Sequence, residues 1–455
     1  MAREKKPIPE EGIYDAKQLG TGRMLILGLQ HMFAMFGATV LVPAITGLSV
    51  ATTLLFAGLG TLLFHLITKR KVPAFLGSSF AFLGAYGLVT ASGQDIPLTY
   101  SGMGVAVAGL VYLLLALLVK IFGAKKVMRF FPPIVTGPVI IAIGLTLSST
   151  ALDSCFANWP VALVAILVVI ILNIWGKGMI KIIPILIGVI ASYVFAVIID
   201  PASREAVAAS VSEAKWLGLP IVWSQTSLSI FGEGFDASML ITAIITIAPI
   251  SLATMVEHIG DVCAISSTTG TNYVADPGLH RTLLGDGIAT TLAALFGAPA
   301  NTTYGENTGV LALSKVYDPK VIRIAAVFAV ILSFCPKFAA IVAAMPSATM
   351  GGVSLILYGM ISAVGVRNVV ENKVDFTKSR NVLIAALILV LAIGIKFSPV
   401  GGGAITFAIG SVTISLSGLA VAALVGIILN AILPGKDYEF GTDEQGDKSV
   451  NFIVQ

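Results

Sequence analysis

Charged side chains are scarce in this chain of 455 residues. They make up 11% of it, whereas hydrophobic residues make up 56% and the mean hydropathy is +0.95. A soluble protein of this size carries charge on roughly a quarter of its residues. The composition therefore excludes a water-soluble globular protein and indicates one that crosses a membrane several times. The net charge of +4 belongs to the loops and does not indicate nucleic-acid binding.

Cysteine is also rare, and the signatures of common enzyme classes are missing. Cys155, Cys263 and Cys335 show neither CxxC nor metal-ligand spacing, so we expect small apolar packing residues. No HExxH, GxSxG or Cys/His set is present. Glu257 and His258 are adjacent on a helix and therefore point to different faces. We predict that the protein is not an enzyme and that it uses no metal or cofactor, with the proton as coupling ion.

Long apolar runs account for most of the chain. A helix needs about 20 apolar residues to span a bilayer, and residues 1–22 lack the apolar core of a signal peptide. We predict fourteen spans, at 23–46, 50–68, 74–91, 101–121, 133–151, 160–176, 180–199, 237–257, 282–298, 306–318, 321–344, 347–366, 380–397 and 410–433. The polar residues 258–281 are expected to be irregular.

Lysine and arginine assign an orientation to these spans. With a cytoplasmic N-terminus and fourteen spans, all but four of the 28 basic residues fall on the inner side. The exceptions are Arg204, Lys215, Lys337 and Lys396. This bias follows the positive-inside rule, so we expect a multi-pass protein of the cytoplasmic membrane with both termini in the cytoplasm.

Two motifs recur in the second half of the chain. FPPIVTGPVIIAIGL (131–145) resembles MPSATMGGVSLILYG (345–359), and VPAFLGSSFAFLG (72–84) resembles APANTTYGENTGV (298–310). The second pair shares a proline, a short stretch compatible with a β-strand and a helix start. Paired interruptions of this kind indicate a transporter's substrate site. The alternative is that the prolines and glycines only allow close helix packing.

Seven spans in each half require the two halves to be inverted in the membrane. We therefore divide the chain into a cytoplasmic N-terminal segment (1–22), a first inverted repeat with spans 1–7 (23–199), an extracytoplasmic connection (200–236), a second inverted repeat with spans 8–14 (237–433) and a cytoplasmic tail (434–455).

Four carboxylates lie within or beside apolar segments: Glu257, Asp261, Asp286 and Glu306. Glu257 and Asp261 are four residues apart and share one face if the helix continues through them. No lysine or arginine within these segments neutralises them, and two close carboxylates do not readily ionise together. We expect these acids to bind and release coupling protons. The alternative, weighed for Asp286 and for Glu306, is a cap at a water-filled helix end.

Histidines and an aromatic residue accompany these acids. His31 and His258 lie in or beside apolar runs, and we expect both behind the ligand-contacting residues; a structural hydrogen-bonding role is the alternative. Phe80, beside Ser78 and Ser79, is expected to stack on a planar ligand, with core packing as the alternative.

The residue types favour a small, uncharged, planar ligand with alternating N–H and C=O groups. Carboxylates accept hydrogen bonds, and backbone amides at helix starts donate them. A free anion fits poorly, because the interrupted segments hold acids and lack arginine and lysine.

The sequence resembles the nucleobase–ascorbate transporter (nucleobase–cation symporter type 2) family. The stretch YGENTGVLALSK (304–315) is similar to the family signature, and the resemblance covers residues 23–433. Glu306 resembles the uracil permeases of the family, since purine and xanthine members usually have glutamine there. Further family-like stretches occur in the same order: QHMFAMFGATVLVP (30–43), LGSSFAF (76–82), EHIGD (257–261) and DPGLHR (276–281).

This resemblance implies an all-α polytopic membrane protein. It implies fourteen transmembrane segments in two inverted seven-span repeats, with short antiparallel β-strands in spans 3 and 10. Spans 1–4 and 8–11 would form a core domain, spans 5–7 and 12–14 a gate domain, and two chains a homodimer in the lipid bilayer.

The resemblance also implies roles for individual residues. Glu257 and Glu306 would bind the edge of uracil, Gly305 and nearby amides would complete the hydrogen bonds, and Phe80 would pack on the ring. Ser79 and Tyr304 complete the predicted substrate-binding set. The predicted proton-coupling set is Glu257, Asp261, Glu306, Asp286 and His258, and the residues expected behind the site are His31 and Asn307.

Three positions depart from the uracil-type pattern. Asp261 stands where a uracil–proton symporter has histidine, Asp286 replaces an asparagine and resembles xanthine members, and Ser314 replaces the usual threonine. We predict a proton-coupled uracil importer that works by alternating access. The alternatives are a xanthine or purine symporter of the same family and, from another class, an anion transporter or channel of the same architecture.

Overall fold

The fold is mostly helical. The computed structural model describes residues 12–84, 86, 97–177, 179–232, 234–409 and 412–436. Parts of five predicted segments lie outside these residues: 1–11 of the N-terminal segment, 85 and 87–91 of the predicted span 74–91, 233 of the extracytoplasmic connection, 410 and 411 of the predicted span 410–433, and 437–455 of the tail.

The helices follow one another along the chain, with longer connections at 214–236 and 398–417. The first half contains α1 (Thr21–Thr46), α2 (Val50–Ile67), α3 (Leu98–Phe122), α4 (Ala124–Met128), α5 (Pro133–Phe156), α6 (Trp159–Trp175), α7 (Met179–Ile182), α8 (Pro184–Ile199) and α9 (Pro201–Glu213). The second half contains α10 (Ala237–Ile247), α11 (Ser251–Thr269), α12 (Leu279–Leu295), α13 (Gly305–Ser314), α14 (Pro319–Ser333), α15 (Pro336–Ala343), α16 (Ser347–Glu371), α17 (Ser379–Phe397) and α18 (Gly418–Ile432). The strands are β1 (Leu76–Ser78), β2 (Asn301–Thr303), β3 (Ala404–Ile409) and β4 (Val412–Ser417).

Many of these helices are apolar. In the described part of the chain, seven helical segments are long and apolar enough to cross a membrane, and nine are if two bent pairs each count as one span. The bends measure 112° between α8 and α9 and 88° between α14 and α15. Proline begins α9 and α15, because it lacks the amide hydrogen that would continue the preceding helix. The prediction of one continuous span over 321–344 is therefore wrong.

Residues 258–269 are helical, which contradicts the prediction of an irregular segment there. Helix α11 continues to Thr269 and ends at Gly270, whose φ of 66° belongs to the left-handed region. The apolar side chains of Ile259, Val262 and Ile265 follow helical spacing and are buried. The polar residues between them are enclosed by protein, so the segment needs no water around it.

The two interrupted segments pair with each other as short strands, as predicted. β1 and β2 are antiparallel, with Leu76 opposite Thr303 and Ser78 opposite Asn301. Neighbouring helices satisfy further polar groups at this sheet: Thr61 Oγ1 accepts from Leu76 N at 2.9 Å, and Thr290 Oγ1 donates to Asn301 O at 2.6 Å. Non-helical backbone is thus stable here because it is buried in protein rather than exposed to lipid.

The other repeated motif lies on continuous helices, α5 and α16, which pack closely together. A Cβ atom on Gly365 would lie 2.7 Å from the carbonyl oxygen of Gly137. For this pair the close-packing alternative holds, since the glycines allow the two backbones to approach.

A hairpin precedes the last helix. β3 pairs with β4 from Ala404 opposite Ser417 to Ile409 opposite Val412. The prediction of a span over 410–433 is wrong in its first part, because α18 begins only at Gly418. The alternating and β-branched residues of this stretch favour extended backbone, and Ser417 caps the helix by accepting from Ala420 N at 3.2 Å.

Candidate functional site

A cavity of about 260 Å³ lies where the β1–β2 pair meets α11, α13 and α16. Its lining includes Phe80, Glu257, Asp261, Thr303, Tyr304 and Gly305. The segment after β1 supplies the aromatic ring of Phe80, and one face of α11 supplies the two carboxylates. The segment after β2 supplies the start of helix α13. We call this space the central cavity.

Glu257 and Asp261 both face the central cavity from one side of α11. Their spacing of one helical turn brings both carboxylates to the same wall. Asp261 also accepts a hydrogen bond at Oδ2 from Thr303 Oγ1 at 3.0 Å. Thr303 ends β2, so the strand pair orients one of the two acids.

The first turn of α13 lies directly at this wall. Tyr304 is its N-cap, and Gly305 is its first residue. A Cβ atom on Gly305 would lie 3.2 Å from Asp261 Oδ1, so the absent side chain leaves room for the carboxylate beside the helix start. The first amides of a helix have no partner within it and donate hydrogen bonds outward. Glu306 is the second residue of this helix, and its side chain lies outside the described part of the structure.

Tyr304, in the second interrupted segment, is held by the first interrupted segment and by α1. Its hydroxyl donates to Ser78 O at 2.9 Å and accepts from Thr39 Oγ1 at 3.2 Å. A Cβ atom on Gly77 would lie 2.4 Å from the Tyr304 ring, so only glycine fits there. Ser78 lines the central cavity, whereas Ser79 is buried and its amide donates to Ala300 O at 2.8 Å.

Phe80 both packs and lines the cavity. Its ring meets Tyr358 of α16 edge-on, with centroids 5.3 Å apart, and the side chain is buried. The Phe80 ring therefore has a fixed orientation and can stack on one face of a planar ligand in the cavity.

Behind the cavity lies a fully buried pair, His258 and Asp286. His258 Nδ1 lies 3.0 Å from Asp286 Oδ2 and 3.3 Å from Thr303 Oγ1. Thr303 in turn donates to Asp261, so a continuous chain of contacts runs from Asp286 to the cavity wall. Asp286 sits in the middle of α12 rather than at its end, which excludes the alternative of a cap at a water-filled helix end.

A second buried contact supports α13 from the other side. His31 Nδ1 of α1 lies 3.0 Å from Asn307 Oδ1, and both side chains are buried. These two residues lie behind the first turn of α13.

The structure adds residues that sequence reasoning missed. Thr303 joins Asp261 to His258, and Lys181 of α7 and Leu313 of α13 also line the cavity. Thr303 directly precedes the signature stretch 304–315, and this position could have indicated that it belongs to the site. Lys181 was read only as an indicator of sidedness, and nothing in the sequence relates it to the strands.

Comparison with known proteins identifies close relatives. A family model described as "Permease family" matches residues 22–401. The uracil permease of Bacillus subtilis (strain 168) is 40% identical over 431 residues, which cover 92% of this chain and 94% of that protein. The uracil permease of Escherichia coli (strain K12) is 37% identical over 420 residues, 89% of this chain and 90% of that protein. The putative pyrimidine permease RutG of the same strain is 36% identical, covering 92% and 91% of the two chains.

Solved structures with a similar fold are more distant in sequence. The transmembrane domain of a cyanobacterium bicarbonate transporter, BicA, aligns with a TM-score of 0.56 at 15% identity, covering 90% of this chain and 96% of that one. SLC26A9 aligns with a TM-score of 0.63 at 12% identity, covering 92% and 66%. At this identity the likeness concerns the fold alone.

Proposed function

The chain belongs to the Permease family of nucleobase–ascorbate transporters, and from this premise we propose that it imports uracil together with protons by alternating access. A multi-pass membrane protein is consistent with its several apolar helices. The proposal also includes fourteen spans in two inverted repeats with the boundaries given above, a core and a gate domain, a homodimer, a location in the cytoplasmic membrane and cytoplasmic termini.

One observation carries the proposal for the substrate: two carboxylates and a helix start converge on one cavity beside an aromatic ring. Uracil is planar and uncharged, with N–H donors and C=O acceptors along its edge. Glu257 accepts from the ring N–H groups in this proposal, with Glu306 as the second acceptor. The amides around Gly305 donate to the carbonyl oxygens, and Phe80 covers the ring.

The same geometry argues against an anion as substrate. A permanently charged anion in the central cavity would face the carboxyl groups of Glu257 and Asp261. Negative charges within one small cavity repel each other. Lys181 also lines the cavity, but it comes from α7 and not from the strands or the helix start that carry the proposed ligand contacts. The similarity to bicarbonate and anion transporters therefore supports the architecture and not the substrate.

Coupling follows from unequal binding of uracil to different protonation states. Asp261 contacts the cavity and, through Thr303, the buried His258–Asp286 pair. We propose that a proton held on this chain favours binding and that its release toward the cytoplasm accompanies release of uracil.

We propose that the end of the central cavity away from the strands, its far end, opens toward the cytoplasm, as in an inward-facing state. Its lining extends along α13 to Leu313, and the loop after that helix bonds to the N-terminal segment, with Ile13 N donating to Lys315 O at 2.8 Å. With the N-terminus in the cytoplasm, the far end of the cavity faces the cytoplasm.

Uptake by reconstituted protein tests the proposal. Radiolabelled uracil is offered to proteoliposomes with an imposed inward proton gradient, with unlabelled xanthine as competitor and with a Glu306→Gln variant. A matched control is Glu205→Gln on the exposed helix α9. We expect gradient-driven uptake that ignores xanthine, is lost in Glu306→Gln and persists in the control. If xanthine competes with uracil and the Glu306→Gln variant transports xanthine, the site is assigned to purines instead, which is the alternative substrate class given above.

A further inference from the structure

A second cavity, of about 780 Å³, lies at the end of the molecule that carries the N-terminal segment. Four chain segments form its walls: Tyr14 from the N-terminal segment, Arg70 and Lys71 after α2, the connection between α11 and α12, and the start of α14 with Lys320 and Arg323. It shares no lining residue with the central cavity. We call it the basic cavity.

The lining of the basic cavity carries an excess of positive charge. Arg70, Lys71, Lys320 and Arg323 line it, against the carboxylates of Asp276 and Asp318. Lys71 pairs with Asp276, and Lys320 lies 3.4 Å from Asp318 Oδ2. Within the described residues no carboxylate forms an ion pair with either arginine, so two guanidinium groups supply the excess.

The carboxylate of Asp318 accepts hydrogen bonds from two backbone amides and not from the arginines. Its Oδ1 accepts from Lys320 N at 2.9 Å, which caps α14, and its Oδ2 accepts from Ala16 N at 2.8 Å in the N-terminal segment. This carboxylate therefore holds the cavity wall together.

Arg323 is the observation that points to a ligand. Its Nη1 atom is buried and has no hydrogen-bond partner among the described residues, although the side chain lines a polar cavity. A buried guanidinium nitrogen without an acceptor is unfavourable, because it has lost water and gained nothing in return. An arginine that served only to orient the protein in the membrane would keep its nitrogens in water.

Arg70 occupies an unusual backbone conformation opposite Arg323. Lys69 and Arg70 have φ values of 57° and 58°, in the left-handed region that side chains other than glycine seldom adopt. The amide of Arg70 donates to His65 O at 2.6 Å, which closes this turn. Strained backbone of this kind persists where surrounding structure enforces it, often at a binding site.

We propose that the basic cavity binds a phosphate group through Arg70 and Arg323. Guanidinium groups bind phosphate oxygens in a bidentate manner, and a phosphate supplies the acceptor that Arg323 Nη1 lacks. The phosphate belongs to a soluble phosphate or to an anionic lipid headgroup, which share this chemistry. A bound phosphate would connect the loop after α2 to the start of α14 and so fix the segments next to α11 and α13, which carry the central cavity.

Thermal unfolding of the purified full chain tests this proposal. Inorganic phosphate is titrated in detergent at constant ionic strength with chloride as balance, and anionic vesicles of phosphatidic acid in phosphatidylcholine are compared with phosphatidylcholine alone. The variants are Arg323→Gln and, in case the change at this partly buried residue impairs folding, Arg70→Gln at an exposed position. Arg204→Gln on exposed α9 is the matched control and should respond as the unaltered chain does.

The expected result is a rise of the unfolding temperature with one of the two probes. The half-saturating concentration of that probe should be about tenfold higher in either arginine variant, as expected for the loss of one charge-assisted hydrogen bond. A response to inorganic phosphate assigns the site to a soluble phosphate, and a response only to phosphatidic acid assigns it to a headgroup. An unaltered chain that responds to neither probe, or variants that respond as strongly as it does, would overturn the proposal.

Discussion

His258 Nδ1 lies 3.0 Å from Asp286 Oδ2, and both side chains are fully excluded from solvent. One residue sits on α11 beside the central cavity and the other in the middle of α12. The rings of Phe64 and Tyr112 meet the imidazole edge-on, so little space is left for water around it. In the proposed coupling, the state of the central cavity at the other end of this chain of contacts decides whether Asp286 holds its proton.

Replacing Asp286 with asparagine should therefore separate binding from coupling. Asparagine keeps the size of the side chain beside His258 Nδ1, but it no longer exchanges a proton. We expect uracil binding to remain within a few-fold of the unaltered chain, while gradient-driven uptake and its dependence on external pH are lost. Binding by calorimetry and uptake in proteoliposomes measure the two quantities, with Asp153→Asn on the exposed side of α5 as control. Undiminished coupling in Asp286→Asn would remove this residue from the proposed pathway.

Thr303 is predicted to be a positioning residue between Asp261 and His258. Thr303→Val keeps the shape of the side chain and removes the hydroxyl that donates to Asp261 at 3.0 Å. Loss of a hydrogen bond to a charged group costs about 1.5–3 kcal/mol, so uptake should fall roughly ten- to a hundredfold. Thr303→Ser restores the donor and should recover most of the rate and the original pH profile. Equal rates in the valine and serine variants would mean that only packing matters here.

Glu257 should contribute directly to uracil affinity. Its carboxylate lines the central cavity, and Glu257→Gln removes the charge while keeping the size. We expect binding to weaken by roughly ten- to a hundredfold, since charge-assisted hydrogen bonds are worth about 1.5–3 kcal/mol. Isothermal titration with uracil checks this, with Glu205→Gln as the exposed acid control. Unchanged affinity in Glu257→Gln would place the substrate elsewhere.

Gly77→Ala should damage the strand pair. The added methyl group would lie 2.4 and 2.5 Å from the ring of Tyr304 and 2.6 Å from Thr39 Oγ1. Such overpacking typically costs about 1–3 kcal/mol. We expect a lower unfolding temperature together with weaker uracil binding, since Tyr304 is the N-cap of α13. Gly359→Ala on α16, where an added Cβ meets nothing within 4 Å, is the control and should be nearly neutral. Equal stability of both variants would contradict the tight contact.

Sequence reasoning predicted the local geometry of this region more accurately than the course of the helices around it. Glu257 and Asp261 share a face because helical spacing is a local property, and the motif beginning at Tyr304 marked the start of α13. The bend between Ser333 and Pro336 was missed, because hydropathy alone does not distinguish a straight apolar run from two shorter helices. The β3–β4 hairpin was missed because hydropathy does not distinguish an apolar strand from an apolar helix, although the β-branched residues there favour extended backbone.

The sequence by itself determined that this is a membrane protein, which segments are interrupted, and which acids stand in apolar surroundings. These properties depend on composition and on residues a few positions apart. Only the tertiary structure decided that Leu76 pairs with Thr303, that Thr303 joins Asp261 to His258, and that two arginines from distant segments line one cavity. Such contacts join residues far apart in the chain, and they form only when the packing of all the helices brings those residues together.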